Sequence, residues 1–289
     1  MDLFWESDLI DRRKFRLSRL SVVMRYAPEG IAADYLEISS EQRLSIIMKL
    51  YLEKTKLSVM AKEVNATASE VFRNFERLQK AEIIEKDSSG YYHLTTFGKL
   101  IYWQIPSFAF VTQNKKYFRA HDFGGISQKF IQRVGALIEG EHVKGFTKVL
   151  EKWHQIASNA NEYIYDILVE EPLELFDPIV KKAKNGIKVK SVFSESAIIP
   201  FMRKKKISDL GASKLIESGQ IERRMKKDIK VVVILNEKEA CVMFPIKEGE
   251  ADIKEMFYSD KPEFHEWCLD YFRDSWDNSD LFQERKLQE

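Results

Sequence analysis

Two cysteines, Cys241 and Cys268, are all that 289 residues contain, with no CxxC spacing and no histidine pair at ligand distance in sequence. That excludes a disulfide framework, argues against structural zinc, and points to a reducing cytoplasm. Both cysteines sit in apolar contexts and read as core residues. No apolar run approaches the roughly 20 residues that a membrane-spanning helix needs. The start, Met1-Asp2-Leu3-Phe4-Trp5, lacks the basic opening and apolar centre of a signal peptide. There is no Walker loop, no GxGxxG after a strand and no GxSxG elbow. The chain therefore reads as a non-enzyme without a cofactor. Charge of one sign is also lacking: 46 basic against 45 acidic side chains leave a net charge of +1. Any nucleic-acid site must then be a local patch rather than a blanket field. The acidic residues are uneven, with Asp270, Asp274, Asp277 and Asp280 repeating through residues 248–289, so the preceding body is net basic. That asymmetry suits one face turned towards DNA and another kept away from it.

What is present centres on residues 40–96. Leu57, Met60, Ala61 and Val64 recur at helical spacing. Asn65-Ala66-Thr67 breaks that helix, and Thr67 with Glu70 three residues on predicts a capping box for the next. This second helix would bury Val71, Phe75 and Leu78 and turn Ser69, Glu70, Arg73, Asn74, Arg77 and Lys80 outward. Two β-prone runs, residues 83–86 and 91–94, flank Asp87-Ser88-Ser89-Gly90, a hairpin signal. Helix, short helix, turn, recognition helix and hairpin in that order predict a winged helix-turn-helix over residues 39–105. In it Arg73, Asn74 and Arg77 would read or approach bases, Ser69 and Lys80 would hold phosphates, and Lys86 with Tyr91 would track the backbone from the wing.

Ahead of this domain, residues 1–38 read as a basic amphipathic helix over 5–26, ended at Pro28-Glu29-Gly30 and followed by a connector. Arg12, Arg13, Arg16 and Arg19 would be either a solvated face packed on a neighbour or an auxiliary phosphate-contacting arm. In the first helix of the domain, capped by Ser39 or Ser40, Leu44, Ile47, Met48 and Tyr51 would form the buried stripe. Behind the hairpin, Pro106 should stop a helix, and residues 106–145 read as a helical linker broken at Gly140-Glu141-His142. His121-Asp122 reads as a hydrogen-bonded turn rather than an acid/base pair, because no third ligand or nucleophile lies nearby. Residues 146–289 alternate helices and strands, an α/β pattern. Residues 229–235 form a near-continuous apolar run suited to a central strand, and residues 261–276 form a closing helix burying Phe264, Trp267, Cys268, Tyr271, Phe272 and Ser275.

Several stretches carry a resemblance. Leu78-Gln79-Lys80-Ala81-Glu82-Ile83-Ile84 followed by Tyr91-Tyr92-His93-Leu94-Thr95 resembles the recognition helix and wing of archaeal winged-helix regulators. His121-Asp122-Phe123-Gly124-Gly125, with Pro262-Glu263-Phe264, Trp267, Asp270-Tyr271-Phe272 and Trp276, resembles the sensor region of the Fil-type methanogenesis regulators. The rear part is similar to the C-terminal domain of TrmB-type regulators, whose core looks like phospholipase D. Here Ala240-Cys241-Val242-Met243-Phe244-Pro245 lacks the His, Lys and Asp of the HxKxxxxD signature, so the scaffold would remain without its chemistry.

The expected fold is thus α/β plus α+β: an N-terminal winged helix followed by a C-terminal α/β sensor domain resembling a degenerate phospholipase D scaffold. The expected function is sequence-specific binding of double-stranded DNA by a homodimeric cytoplasmic transcriptional regulator with no membrane partner. Open α/β sheets bind ligands beyond strand carboxyl ends, which points to Ser194, Glu195 and Ser196 for an effector. The clusters Arg203-Lys204-Lys205-Lys206 and Arg223-Arg224-Met225-Lys226-Lys227 read as solvated surface, with an anionic effector or a second DNA contact as alternatives. The competing classes are a protein-interaction scaffold, an architectural DNA-binding protein, and a nucleic-acid enzyme using His121 and Asp122.

Overall fold

A computed structural model describes residues 28–287 apart from 248 and 250. The chain divides into two compact units, residues 1–104 and 105–289. The expected basic helix, with Arg12, Arg13, Arg16 and Arg19, lies outside the described residues. Among those described, no helix is long and apolar enough to cross a membrane.

The first unit begins with α1 (Pro28–Ile38), where a turn and connector were expected. Proline at a helix start loses nothing, because the first turn has unpaired N–H groups anyway. Helix α2 (Glu41–Leu52) follows and buries Arg43, Ile46, Ile47 and Leu50. This corrects the expected stripe: Met48 and Tyr51 are exposed. The helix is rotated because Arg43 turns inward, its Nε donating to Glu37 O at 2.6 Å and its Nη2 to Leu36 O at 2.8 Å. Those carbonyls end α1 without intrahelical partners, so the guanidinium acts as its C-terminal cap. Ser40 stands at the cap position of α2 without a side-chain cap bond, while Ser39 Oγ donates to Leu36 O at 2.8 Å. Helices α3 (Leu57–Glu63) and α4 (Ala68–Lys80) and the antiparallel hairpin of β1 (Ile84–Lys86) with β2 (Tyr92–Leu94) complete the small core.

Helix α5 (Thr96–Gln113) runs through Pro106, against the expectation that it would stop there. Proline removes one backbone donor. Around it Ser107 Oγ donates to Gln132 O at 2.9 Å and accepts from Gly135 N at 3.2 Å, so packing within the second unit outweighs the lost bond.

Residues 106–145 are part of the second unit's body rather than a linker. Phe110, Tyr117, Phe130, Val134 and Leu137 belong to its core. Helix α6 (Gln128–Gln132) gives way to a 3₁₀ turn, and β3 (Glu141–Lys144) forms a sheet edge where a break was expected. Then come α7 (Phe146–Asn159), β4 (Tyr163–Glu170), α8 (Phe176–Lys184), β5 (Lys188–Ile198), α9 (Arg203–Asp209), α10 (Ala212–Glu217), β6 (Ile221–Lys226), β7 (Val232–Leu235), β8 (Ala240–Met243), β9 (Glu255–Ser259), α11 (Pro262–Asp277) and β10 (Asp280–Leu281). The eight strands form one sheet in the order β10-β6-β5-β4-β7-β8-β9-β3. Strands β4, β5 and β6 are parallel and the remaining pairs antiparallel. One face buries Ile167, Val192, Val233, Val242 and Phe257 with Phe264, Trp267 and Phe272 of α11. The other buries Leu168, Phe193, Met225, Ile234 and Met256 with Val149, Trp153 and Ile156 of α7. Both cysteines are fully buried and burial raises their thiols, Cys241 to about 12.

A close approach fixes α5 on the hairpin: a Cβ on Gly98 would lie 2.0 Å from Ile83 O. Gly98→Ala is expected to cost about 1–3 kcal/mol in a urea melt, the range of core overpacking. Gly30→Ala, with nothing within 4 Å of its new Cβ in α1, should instead be neutral or stabilise by up to about 1 kcal/mol. Equal effects from both would refute the packing argument.

Candidate functional site

Thr67 sets the angle at which α4 leaves α3. Its Oγ1 accepts from Glu70 N at 3.2 Å, and Glu70 Oε2 accepts from Thr67 N at 2.8 Å, so the expected capping box is made in full. These bonds hold the Glu70 carboxyl below its usual range. Asn65 takes φ +49°, the left-handed conformation that asparagine tolerates in the break. Val71, Phe75 and Leu78 fill the core at 0% exposure, which leaves Ser69, Arg73 and Lys80 exposed.

Two of the expected base-reading residues are otherwise engaged. Asn74 is buried, its Nδ2 donating to Gln42 Oε1 of α2 at 2.9 Å. Arg77 donates from Nε and Nη2 to Glu37 of α1 at 2.9 and 2.7 Å, a bidentate pair. That pair holds Glu37 below the usual carboxylate range and raises Arg77. Both partners lie far away in sequence, which is why helical spacing alone turned these side chains outward.

At the hairpin, Asp87 Oδ1 accepts from Ser89 N and Tyr91 N, each at 2.9 Å, and Lys86 is exposed with its Nζ 5.4 Å from the Tyr92 ring centre. Thr55 pairs with Tyr92 through both backbone bonds, at 3.1 and 2.8 Å. That bridge brings Lys54 and Lys56 over the half-buried Tyr91 ring, at 5.2 and 5.0 Å from its centre. Sequence reasoning missed these two lysines. Their signal is Lys-Thr-Lys alternation, since extended residues on either side of a paired Thr55 share a face.

In the second unit, Ser194, Glu195 and Ser196 lie within β5 rather than beyond its end. Ser194 is buried, its Oγ 3.0 Å from Ser196 Oγ, and Glu195 is ion-paired with Lys286, so they form no open ligand site. The arginines of the basic clusters, with Lys206, are also engaged within the unit. Arg203 is 2% exposed between Glu171 and Glu284, and Lys206 meets Asp177 at 2.7 Å. Arg223 pairs with Glu284 at 3.3 Å, and Arg224 donates to Trp276 O at 3.0 Å. His121 pairs with Asp252 at 2.8 Å and shares a 2.9 Å hydrogen bond with Tyr117 O, while Asp122 accepts from Gly124 N at 2.7 Å, a hydrogen-bonded turn. Among the described residues no group of three His, Cys, Asp or Glu side chains could hold a metal.

Asp166 stands out on β4. Burial pushes its carboxyl up to about 8, opposed by a hydrogen bond from Ser191 and reinforced by the charge of Glu171. The native chain keeps this proton where the unfolded chain, with the ordinary value of 3.8, has released it. The unfolded state then binds fewer protons, so this group makes stability fall as pH rises from about 4 to about 8. Asp166→Asn is expected to flatten that decline in unfolding free energies measured across the window. An unchanged slope would assign the decline elsewhere.

No family model matches the chain, and no curated protein matches it. Among solved structures it is similar to TrmBL2, described as an archaeal chromatin protein with a novel mode of DNA binding. The identity is 12% over 84% of this chain and 94% of that one, with a TM-score of 0.39. It is also similar to Nuc of Salmonella typhimurium, a phospholipase D family member, at 15% identity over 50% of this chain and 100% of that one, TM-score 0.38. NucT from Helicobacter pylori gives 14% over the same shares, TM-score 0.38. These are distant likenesses, and the roles of individual residues rest on the chain's own geometry.

Proposed function

We propose that the chain is a sequence-reading, DNA-binding transcriptional regulator of the kind the Fil-type resemblance implies, a homodimer without catalytic activity whose second unit answers to a ligand. The observation that carries this reading is the capped α4, held at a fixed angle after α3 and followed by the β1–β2 hairpin, with exposed cations on both. The arrangement fits a winged helix-turn-helix, with α4 entering the major groove and the hairpin beside the backbone. Arg73 is the base-reading side chain, Ser69 and Lys80 hold phosphates, and Lys56, Lys86 and Tyr91 track the backbone, with Lys54 joining them only by leaving Asp87. Asn74 supports α4 through Gln42. Arg77 reaches DNA only by leaving Glu37.

The test is fluorescence anisotropy with duplex from the protein's own upstream region against random duplex, at several salt concentrations. The expected result is tighter binding to the upstream duplex with a steep salt slope. Arg73→Ala should cost about 1–3 kcal/mol on the upstream duplex and less on random DNA, whereas Lys56→Ala should weaken both alike and lower the slope by about one. Equal affinity of the unaltered chain for both duplexes would favour an architectural role. Absence of binding would favour a protein-interaction scaffold.

Self-association is supported by an apolar patch on the first unit. Leu52 is 76% and Trp103 56% exposed beside Met48 and Leu100. The Tyr51 and Tyr102 rings stack at 3.7 Å, and Trp103 Nε1 donates to Tyr51 Oη at 3.2 Å, so the patch is pre-ordered. Two-fold pairing doubles the contacts a single recognition helix makes and matches a palindromic site. Light scattering after gel filtration should give a dimer, and Leu52→Glu or Trp103→Glu a monomer with an unchanged far-UV circular dichroism spectrum. A monomeric unaltered chain would remove the dimer from this reading.

A further inference from the structure

Strand register places Asp166, Ser191 and Arg223 directly opposite one another on β4, β5 and β6. Residues in register on adjacent strands project to the same face, so one polar row crosses an otherwise apolar surface. Between that row and helices α7 to α10 lies a cavity of about 70 Å³, walled by Leu168, Phe176, Ile207 and Ile216.

Two atoms of the row have no hydrogen-bond partner, Asp166 Oδ1 and Arg223 Nε. The Trp153 indole N–H, which also borders the cavity, has only the weak sulfur acceptor of Cys241 beside it. Asp166 and Trp153 are 3% and 1% exposed, so neither can turn to bulk water. Buried polar groups are almost always paired. Here an acceptor and two donors converge on one cavity.

The neighbouring charges indicate what can enter. Arg203 is matched by Glu171 and Glu284, and Arg223 shares Glu284, so two cations and two carboxylates neutralise one another. A charged guest would bring an unmatched charge into this interior. A hydroxyl or primary amide both donates and accepts, which answers Asp166 and the N–H groups together. Size limits the rest, since a cavity of about 150 Å³ takes benzene and this one is near half that.

We propose that this cavity binds a small uncharged molecule, an alcohol or amide with a short apolar body, its head on Asp166, Arg223 and Trp153 and its body against the aliphatic wall. Its role as an effector site rests on the regulator reading. The binding itself does not, and is measured without DNA.

Thermal unfolding of the full chain is followed with acetamide and 1-propanol as neutral probes, and with acetate and propylammonium as charged ones of the same size. The neutral probes are expected to raise the midpoint saturably by about 2–4 °C, as ligands of the native state do, and the charged ones not to. Asp166→Asn should keep the apparent Kd within about threefold, while Asp166→Leu and the cavity-filling Ile207→Phe should weaken it by more than tenfold. The proposal is overturned if neither neutral probe gives a saturable rise, in which case the cavity holds only water. It is also overturned if the charged probes match the neutral ones, or if both substituted chains respond like the unaltered one. Loss of probe binding in a chain that still reads its upstream DNA would end this site and leave the regulator reading standing. Probe binding in a chain indifferent to DNA would do the reverse.

Discussion

Three adjacent parallel strands must be covered on both faces, and that constraint arranges the whole second unit. Strand β5 pairs with parallel neighbours on both edges and is buried at Val189, Ser191, Val192, Phe193 and Ser194 in near-unbroken sequence. Such a strand has no solvent side, so apolar elements are required above and below. Helix α11 supplies one layer together with the aromatic stretch that follows α5. Helices α7, α8 and α10 supply the other. The antiparallel strands β7, β8, β9 and β3 extend the sheet; a short turn at 236–239 joins β7 to β8, whereas β3 reaches its place beside β9 from far earlier in the chain.

Covering a sheet this way leaves little room for charge, and the polar groups that remain inside are therefore informative. Arg203 ties the start of α9 to Glu171, just past the end of β4, and to Glu284 near the C-terminal end of the described chain. Three segments distant in sequence meet on one guanidinium, whose planar fork matches carboxylates on two sides. Removing Arg203 would strand the mostly buried Glu171 carboxylate, which costs far more than the pair contributes. Asp166, two strands away from β6 across the same face, has no such cation, so it holds its proton instead.

What could be read from the sequence was whatever depends on neighbours within one or two helical turns. The Thr67–Glu70 capping box, the Val71, Phe75 and Leu78 stripe, and the buried side of α11 are local patterns, and the structure has them where spacing put them. What could not be read depends on partners far along the chain. Arg43 looks like a surface residue until α1 presents its terminal carbonyls. Asn74 and Arg77 look like readers until Gln42 of α2 and Glu37 of α1 meet them. Pro106 looks like a stop until residues 132–135 pack against its turn. The basic clusters look solvated because their carboxylate partners, Glu171 and Glu284, are not near them in sequence.

The same long-range pairing bears on how a chain of net charge +1 could hold a polyanion. With Arg77 on Glu37 and Lys54 near Asp87, part of the first unit's cationic surface is neutralised before any phosphate arrives. What is left on α4 and the hairpin is a small, directional set of charges instead of a broad positive field. Such a surface gives weak non-specific attraction, because counterion release scales with the number of phosphates met. Discrimination then falls on few contacts, and a second copy is the economical way to multiply them without adding charge to either. On the proposed reading, the exposed apolar face around Leu52 and Trp103 would supply affinity through pairing, with sequence reading left to Arg73, because Arg77, also exposed on α4, is held by Glu37.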